Sequence, residues 1–235
     1  MSRINLHDYQ SPVFAAWRQA AGQTWSDYID HEFVRGLGDG SLPREAFIAY
    51  LIQDYIFLLH FSRAWAMAVV KAATAAQMRT AAATVNALIN DEIQLHIIIC
   101  EREGISEAQL LEATEASENI AYTRYVMDSA LSGDLLDLLA ALAPCVFGYH
   151  QIGLSLADCQ NTTPLYREWI DTYSDPEYVG VCDAVGALIE EVTSEKLGGD
   201  PGQNPRWKGL CARFKTATEL EVNFWQMGLR LGLEG

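Results

Sequence analysis

Apolar residues recur three and four positions apart along almost the whole of this chain, while runs that alternate β-branched with polar residues are missing. That periodicity restricts the fold to an all-α one. Start and stop signals divide the pattern. Ser11-Pro12 is an N-cap followed by proline at the first helical position, and the helix it opens carries Phe14, Trp17, Ala21 and Trp25 and is expected to end near Gly36. A long, almost unbroken helix follows from Pro43 to about Ala73. The next is expected from about Ala76 to Glu103, stopping at Gly104, with Ser106 to Gln109 in the form of a capping box. Further helices are expected over about 115–132, 134–160, from Thr163-Pro164 through Tyr173, from the Asp175-Pro176 cap to Leu197, and from Asn204-Pro205 to about Gly232. The loop GGDPG at 198–202 is the clearest break.

Two stretches place polar groups where such helices have little room for them. ALAPCVFGYHQIGL, residues 141–154, sets Cys145 directly after Pro144 inside an apolar helical pattern, with Tyr149 one turn further on the same face. A proline inside a helix removes a backbone hydrogen bond and strains the preceding turn, at about 3 kcal/mol. Free cysteine is among the most buried residue types, so on spacing alone a structural thiol at a bent helix is the default and a nucleophile at a kink the sharper alternative. On the 43–73 helix the apolar stripe is Leu51, Tyr55, Leu58, Ser62, Trp65 and Val69, and Asp54 falls on or beside it. A carboxylate there needs partners.

Length and composition narrow the remaining choices. At 235 residues, with no linker or composition shift, the chain is expected to form one domain, residues 1–235. The 31 acidic against 16 basic residues give a net charge of -15, which repels phosphate backbones and anionic headgroups, so neither nucleic acid nor a membrane surface is an expected partner. The N-terminus lacks an apolar signal region, and no run of letters approaches the roughly 20 apolar residues that span a bilayer, so a soluble, cytoplasmic protein is expected. Five scattered cysteines without a CxxC pair fit reduced thiols.

Metal and cofactor chemistry finds little support. Glu92 and His96 are an i, i+4 pair, but a carboxylate-bridged dimetal bundle draws Glu-x-x-His groups from two helices, and His7, His31, His60, His96 and His150 include none in that motif. A helix-face hydrogen bond or ion pair between Glu92 and His96 is the simpler reading. HExxH, CxxCH, Gly-rich phosphate loops and GxSxG are all absent, so no metal and no cofactor is expected. What remains is a set of polar groups scattered along apolar helices: Asp54, Tyr122, Cys145, Tyr149, Tyr173 and Glu221. Each has a plain structural explanation taken alone.

Taken together and in order, LIQDYIFLLHFSRAWAMAVVKA (51–72), DEIQLHIIICEREGIS (91–106), AALAPCVFGYHQIG (140–153), WIDTYSDPEY (169–178) and ELEVNFWQMG (219–228) resemble the motif blocks of the TenA or thiaminase II family, in its cysteine-containing branch. The likeness runs from about Pro12 to Gly232. It implies a haem-oxygenase-like helical bundle without haem, a homotetramer, and an enzyme of thiamin salvage. The implied reaction is hydrolysis of 4-amino-5-aminomethyl-2-methylpyrimidine with release of ammonia, together with slower cleavage of thiamin itself.

Carried over residue by residue, the resemblance puts the nucleophile on Cys145, the acid/base glutamate on Glu221 and the substrate-binding aspartate on Asp54. Pocket tyrosines fall on Tyr122, Tyr149 and Tyr173, with Phe224 as an apolar wall. Phe57 stands where many members have tyrosine, and Val146-Phe147 replaces a bulkier aromatic pair, so substrate range is where this chain is expected to differ. The alternatives are a non-catalytic pyrimidine-binding or regulatory protein on the same fold, which would need neither Cys145 nor Glu221, and a metal-dependent oxidase, which the histidines disfavour.

Overall fold

The computed structural model describes residues 8–234. Among them every regular element is helical. The chain divides into two compact units, one made of the described residues up to Leu42 with Leu139–Val222, the other of Pro43–Leu138 with the described residues from Asn223 onward.

In the first unit, α1 (Pro12–Ala21) starts as its sequence predicts: Ser11 Oγ accepts from the Phe14 N–H and Pro12 occupies the first turn. The Glu190 carboxylate accepts from Ser11 Oγ at 2.7 Å and from the Val13 N–H at 2.8 Å, which adds a charged partner for the orphan donors of that helix end. The single helix expected as far as Gly36 is instead three. Gly22 takes a positive φ of 57° after α1, a conformation that stops an α-helix and suits glycine. Helix α2 (Gln23–Ile29) follows, and the His31 ring then caps α3 (Glu32–Asp39) by accepting from the Phe33 N–H.

The second unit is built on α4 (Arg44–Lys71), which packs against α5 (Ala75–Ala87), α6 (Ile93–Arg102) and α8 (Ser117–Ser132), with the short α7 (Glu107–Glu112) between the last two. The capping box at Ser106 and Gln109 is formed as predicted. Gln53 joins α4 to the start of α8: its Nε2 donates to the Thr114 carbonyl and its Oε1 accepts from the Ala116 N–H, both at 2.9 Å, and Asn119 donates to the Gln53 carbonyl. Between α5 and α6 the chain makes one π-helical turn, Leu88–Glu92, in which the Ile93 N–H bonds the Leu88 carbonyl five residues back. One inserted residue turns everything after it by about 100° around the helix axis.

The four remaining helices are α9 (Leu135–Leu156), α10 (Pro164–Ser174), α11 (Pro176–Leu197) and α12 (Trp207–Glu234). The division between units falls within α9 and within α12. Helix α9 carries on through Pro144. It is also long and apolar enough, by length and composition, to cross a membrane, contrary to the reading of the letters alone. Cys145, Tyr149, His150 and Gln151 interrupt the strictly apolar run without lowering its average enough. Within the protein 94% of its most apolar window is buried, which is how a core helix meets the same criterion.

Within the first unit α10 lies close against α9. A Cβ added at Gly153 would come within 2.5 Å of the Tyr173 carbonyl carbon and 2.6 Å of its oxygen, main-chain atoms that cannot swing aside. Gly180 in α11 has nothing within 4 Å of such an atom. In urea unfolding, Gly153→Ala is expected to cost about 1–3 kcal/mol through overpacking. Gly180→Ala is expected to be neutral or to stabilise by roughly 0.5–1 kcal/mol, as alanine does at an open helix position.

Candidate active site

In the second unit the sequence-predicted residues Asp54, Phe57, Tyr122 and Phe224 come together. Asp54 and Phe57 lie one turn apart on α4. The Phe57 ring meets Tyr122 of α8 at 4.9 Å between centroids and Phe224 of α12 at 5.4 Å, the latter edge to face. Tyr50, one turn before Asp54, meets the Phe224 ring edge at 6.1 Å and Trp225 at 5.2 Å. Offset and edge contacts of this kind suit the ring quadrupoles.

Asp54 is 1% exposed, and its need for partners is met twice on one oxygen. Its Oδ2 accepts from the Tyr50 hydroxyl at 2.8 Å and pairs with His96 Nε2 at 2.7 Å. The other ring nitrogen of His96, Nδ1, lies 2.8 Å from the main-chain carbonyl of Glu92. The i, i+4 spacing of Glu92 and His96 is therefore used through the backbone, and the charged partner of the imidazole is Asp54, 42 positions earlier. Burial pulls the His96 pKa down, but hydrogen bonding to Asp54 and the negative charges of Asp54 and Glu92 outweigh it, so the net shift is upward.

The first unit holds the other four, Cys145, Tyr149, Tyr173 and Glu221, all buried. On α9, Cys145, Tyr149 and Gly153 recur every four residues along one face. The Tyr149 ring meets Tyr173 at 5.0 Å and Trp169 at 5.8 Å, and those two rings of α10 meet each other at 4.6 Å. Cys145 is 7% exposed and Glu221 1%. Among the other thiols, burial pushes Cys100 up to about 11 and raises Cys182 and Cys211, which makes them poor nucleophiles.

Among the described residues no three His, Cys, Asp or Glu side chains gather where they could hold a metal ion. His7 lies outside the described residues. Reasoning from sequence alone missed Tyr50, Trp169 and the bond from His96 to Asp54. Tyr50 had a signal in its i, i+4 spacing to Asp54; His96 had none, because its partner lies on another helix.

The TENA/THI-4/PQQC family model matches residues 18–231. The chain belongs to this family. Among its relatives, an uncharacterized protein of Haemophilus influenzae is 40% identical over 91% of this chain and 97% of its own length. An aminopyrimidine aminohydrolase of Halalkalibacterium halodurans is 33% identical over 91% of this chain and 93% of its own. A crystal structure from Silicibacter, described as a TenA family transcription regulator, is 54% identical, with a TM-score of 0.90 over 93% of this chain and 97% of that one. The all-α TenA fold is thus shared.

For this TenA-family chain the buried pair on α4 and α6 has a pH signature. A histidine whose pKa is raised on folding adds stability that is complete below its unfolded value near 6.5 and is lost as pH climbs through its folded value. Unfolding free energy measured by urea titration is expected to decline as pH rises above about 6.5, and His96→Gln is expected to remove that part of the slope.

Proposed function

We propose that this protein hydrolyses aminopyrimidines in thiamin salvage, converting 4-amino-5-aminomethyl-2-methylpyrimidine to the hydroxymethylpyrimidine with release of ammonia, and cleaving thiamin as a further substrate. The observation that carries the reading is the presence of Cys145 and Glu221, both buried, in a chain 33% identical over most of its length to an aminopyrimidine aminohydrolase. The two compact units are read as one functional TenA-like domain.

In the proposed reaction the Cys145 thiolate adds to the electron-poor pyrimidine ring. The electron pair gained by the ring expels the amine from the 5-methylene, and Glu221 supplies the proton with which it leaves as ammonia. Water then adds to the methylene, giving its proton back to Glu221, and the thiolate departs as the ring regains its aromaticity. Atoms balance as amine plus water to alcohol plus ammonia. Asp54 binds the amino edge of the ring, while Phe57, Tyr122, Tyr149, Tyr173 and Phe224 are the residues that would supply flat apolar surface, the tyrosines adding hydroxyl handles. Phe57 leaves that surface one hydroxyl short of the family's common tyrosine.

The second reading is a pyrimidine-responsive regulator, favoured by the description of the Silicibacter relative. A net charge of -15 works against direct contact with DNA. Ammonia release from a panel of aminopyrimidines and thiamin separates the two. The wild-type protein is expected to turn over, Cys145→Ala to fall to background, and Glu221→Gln to lose roughly 10²- to 10⁴-fold in kcat. Full activity in Cys145→Ala would overturn the cysteine mechanism.

A further inference from the structure

The pairing around Asp54 is asymmetric. Tyr50 and His96 both bond Oδ2, and no hydrogen bond among the described residues engages Oδ1. The partners of His96 decide its own state. Its Nδ1 faces a carbonyl oxygen and its Nε2 a carboxylate oxygen, and neither has a proton to offer in its ordinary form, so the ring donates from both nitrogens as an imidazolium and Asp54 is the carboxylate. The ring is fully buried on α6, one turn after the π-helical turn that sets its direction, so it cannot trade this arrangement for water.

We infer that His96 is a positioning residue for substrate recognition: together with Tyr50 it occupies Asp54 Oδ2, fixing the carboxylate so that Oδ1 is the oxygen that accepts from an exocyclic amino group on the pyrimidine. This inference rests on the aminopyrimidine reading above and adds a basis for selectivity to it. An amino group brings an N–H to Oδ1. An oxo group at the same ring position brings a second acceptor, and an ionised carboxylate repels it. The two bonds to Oδ2 stop the carboxylate oxygens from exchanging places, so the oxygen left for the ring edge is always Oδ1.

The test compares steady-state ammonia release from 4-amino-5-aminomethyl-2-methylpyrimidine and from its 4-oxo counterpart in the wild type, Asp54→Asn, His96→Gln and the double variant. His96→Gln is expected to raise KM for the amino substrate roughly 10- to 100-fold with kcat little changed, and to narrow the amino-to-oxo preference by a similar factor. The double variant should be no worse than Asp54→Asn. Wild-type KM and preference in His96→Gln, beside their loss in Asp54→Asn, would overturn the positioning role and leave the proposed reaction standing. No ammonia from the wild type would overturn both. Should His96→Gln fail to fold, ¹⁵N NMR of histidine-labelled wild type decides the matter: both His96 ring nitrogens are expected to be protonated at neutral pH, and a bare ring nitrogen overturns the inference.

Discussion

A carboxylate on the apolar face of a buried helix is tolerable only if other groups replace the water it gives up. The penalty for an unpaired ion is several kcal/mol, and removing one partner of a buried pair costs about 3–5 kcal/mol, because the charge left behind has nowhere to go. At Asp54 the replacement comes from Tyr50 on the same helix and His96 on another, and the bond between Asp54 and His96 joins α4 to α6. The π-helical turn ahead of α6 is part of that arrangement, since it sets the direction in which the imidazole leaves the helix. Tyr50, His96 and the turn ahead of α6 thus act together on one buried carboxylate.

The first unit meets a different constraint. Its share of α9 is apolar on nearly every side, so neighbouring helices must cover it completely, and they do so by close approach. Gly153 lets the α10 main chain come within contact of α9, and this brings Tyr149, Trp169 and Tyr173 into one aromatic group. The missing side chain at Gly153 and the flat rings around it are two sides of one packing solution. The same closeness explains how a helix that resembles a membrane span serves as a core helix here.

Chemistry of the proposed kind asks for a soft nucleophile, a proton carrier and a group that reads the ring edge. Burial disfavours the thiolate at Cys100, Cys182 and Cys211, and Cys145, one turn before the buried Tyr149, is the thiol given the nucleophile's part in the proposed reaction. Membership of the TENA/THI-4/PQQC family gives the motif its context. The asymmetric bonding of Asp54 adds what a motif does not contain, namely which oxygen is spoken for.

Much of this could be read along the chain. Helical spacing, the Ser11-Pro12, Thr163-Pro164 and Asp175-Pro176 caps and the capping box at Ser106 all act within a turn or two, and they placed most of the helices. Gly22 escaped because φ is a property of the folded backbone, and the π turn because the letters of Leu88–Glu92 do not differ from those of an ordinary helix. The sequence by itself determined that the chain is all-α, that Asp54 is buried and must be paired, and that Cys145 and Tyr149 share a helix face. Only the tertiary structure decided that the pairing partner is His96, that Phe57 rests on Tyr122 and Phe224, and that Tyr149 meets Tyr173. The reason is geometric: spacing sets angles about a single helix axis, whereas the distance between side chains on different helices depends on how those helices pack.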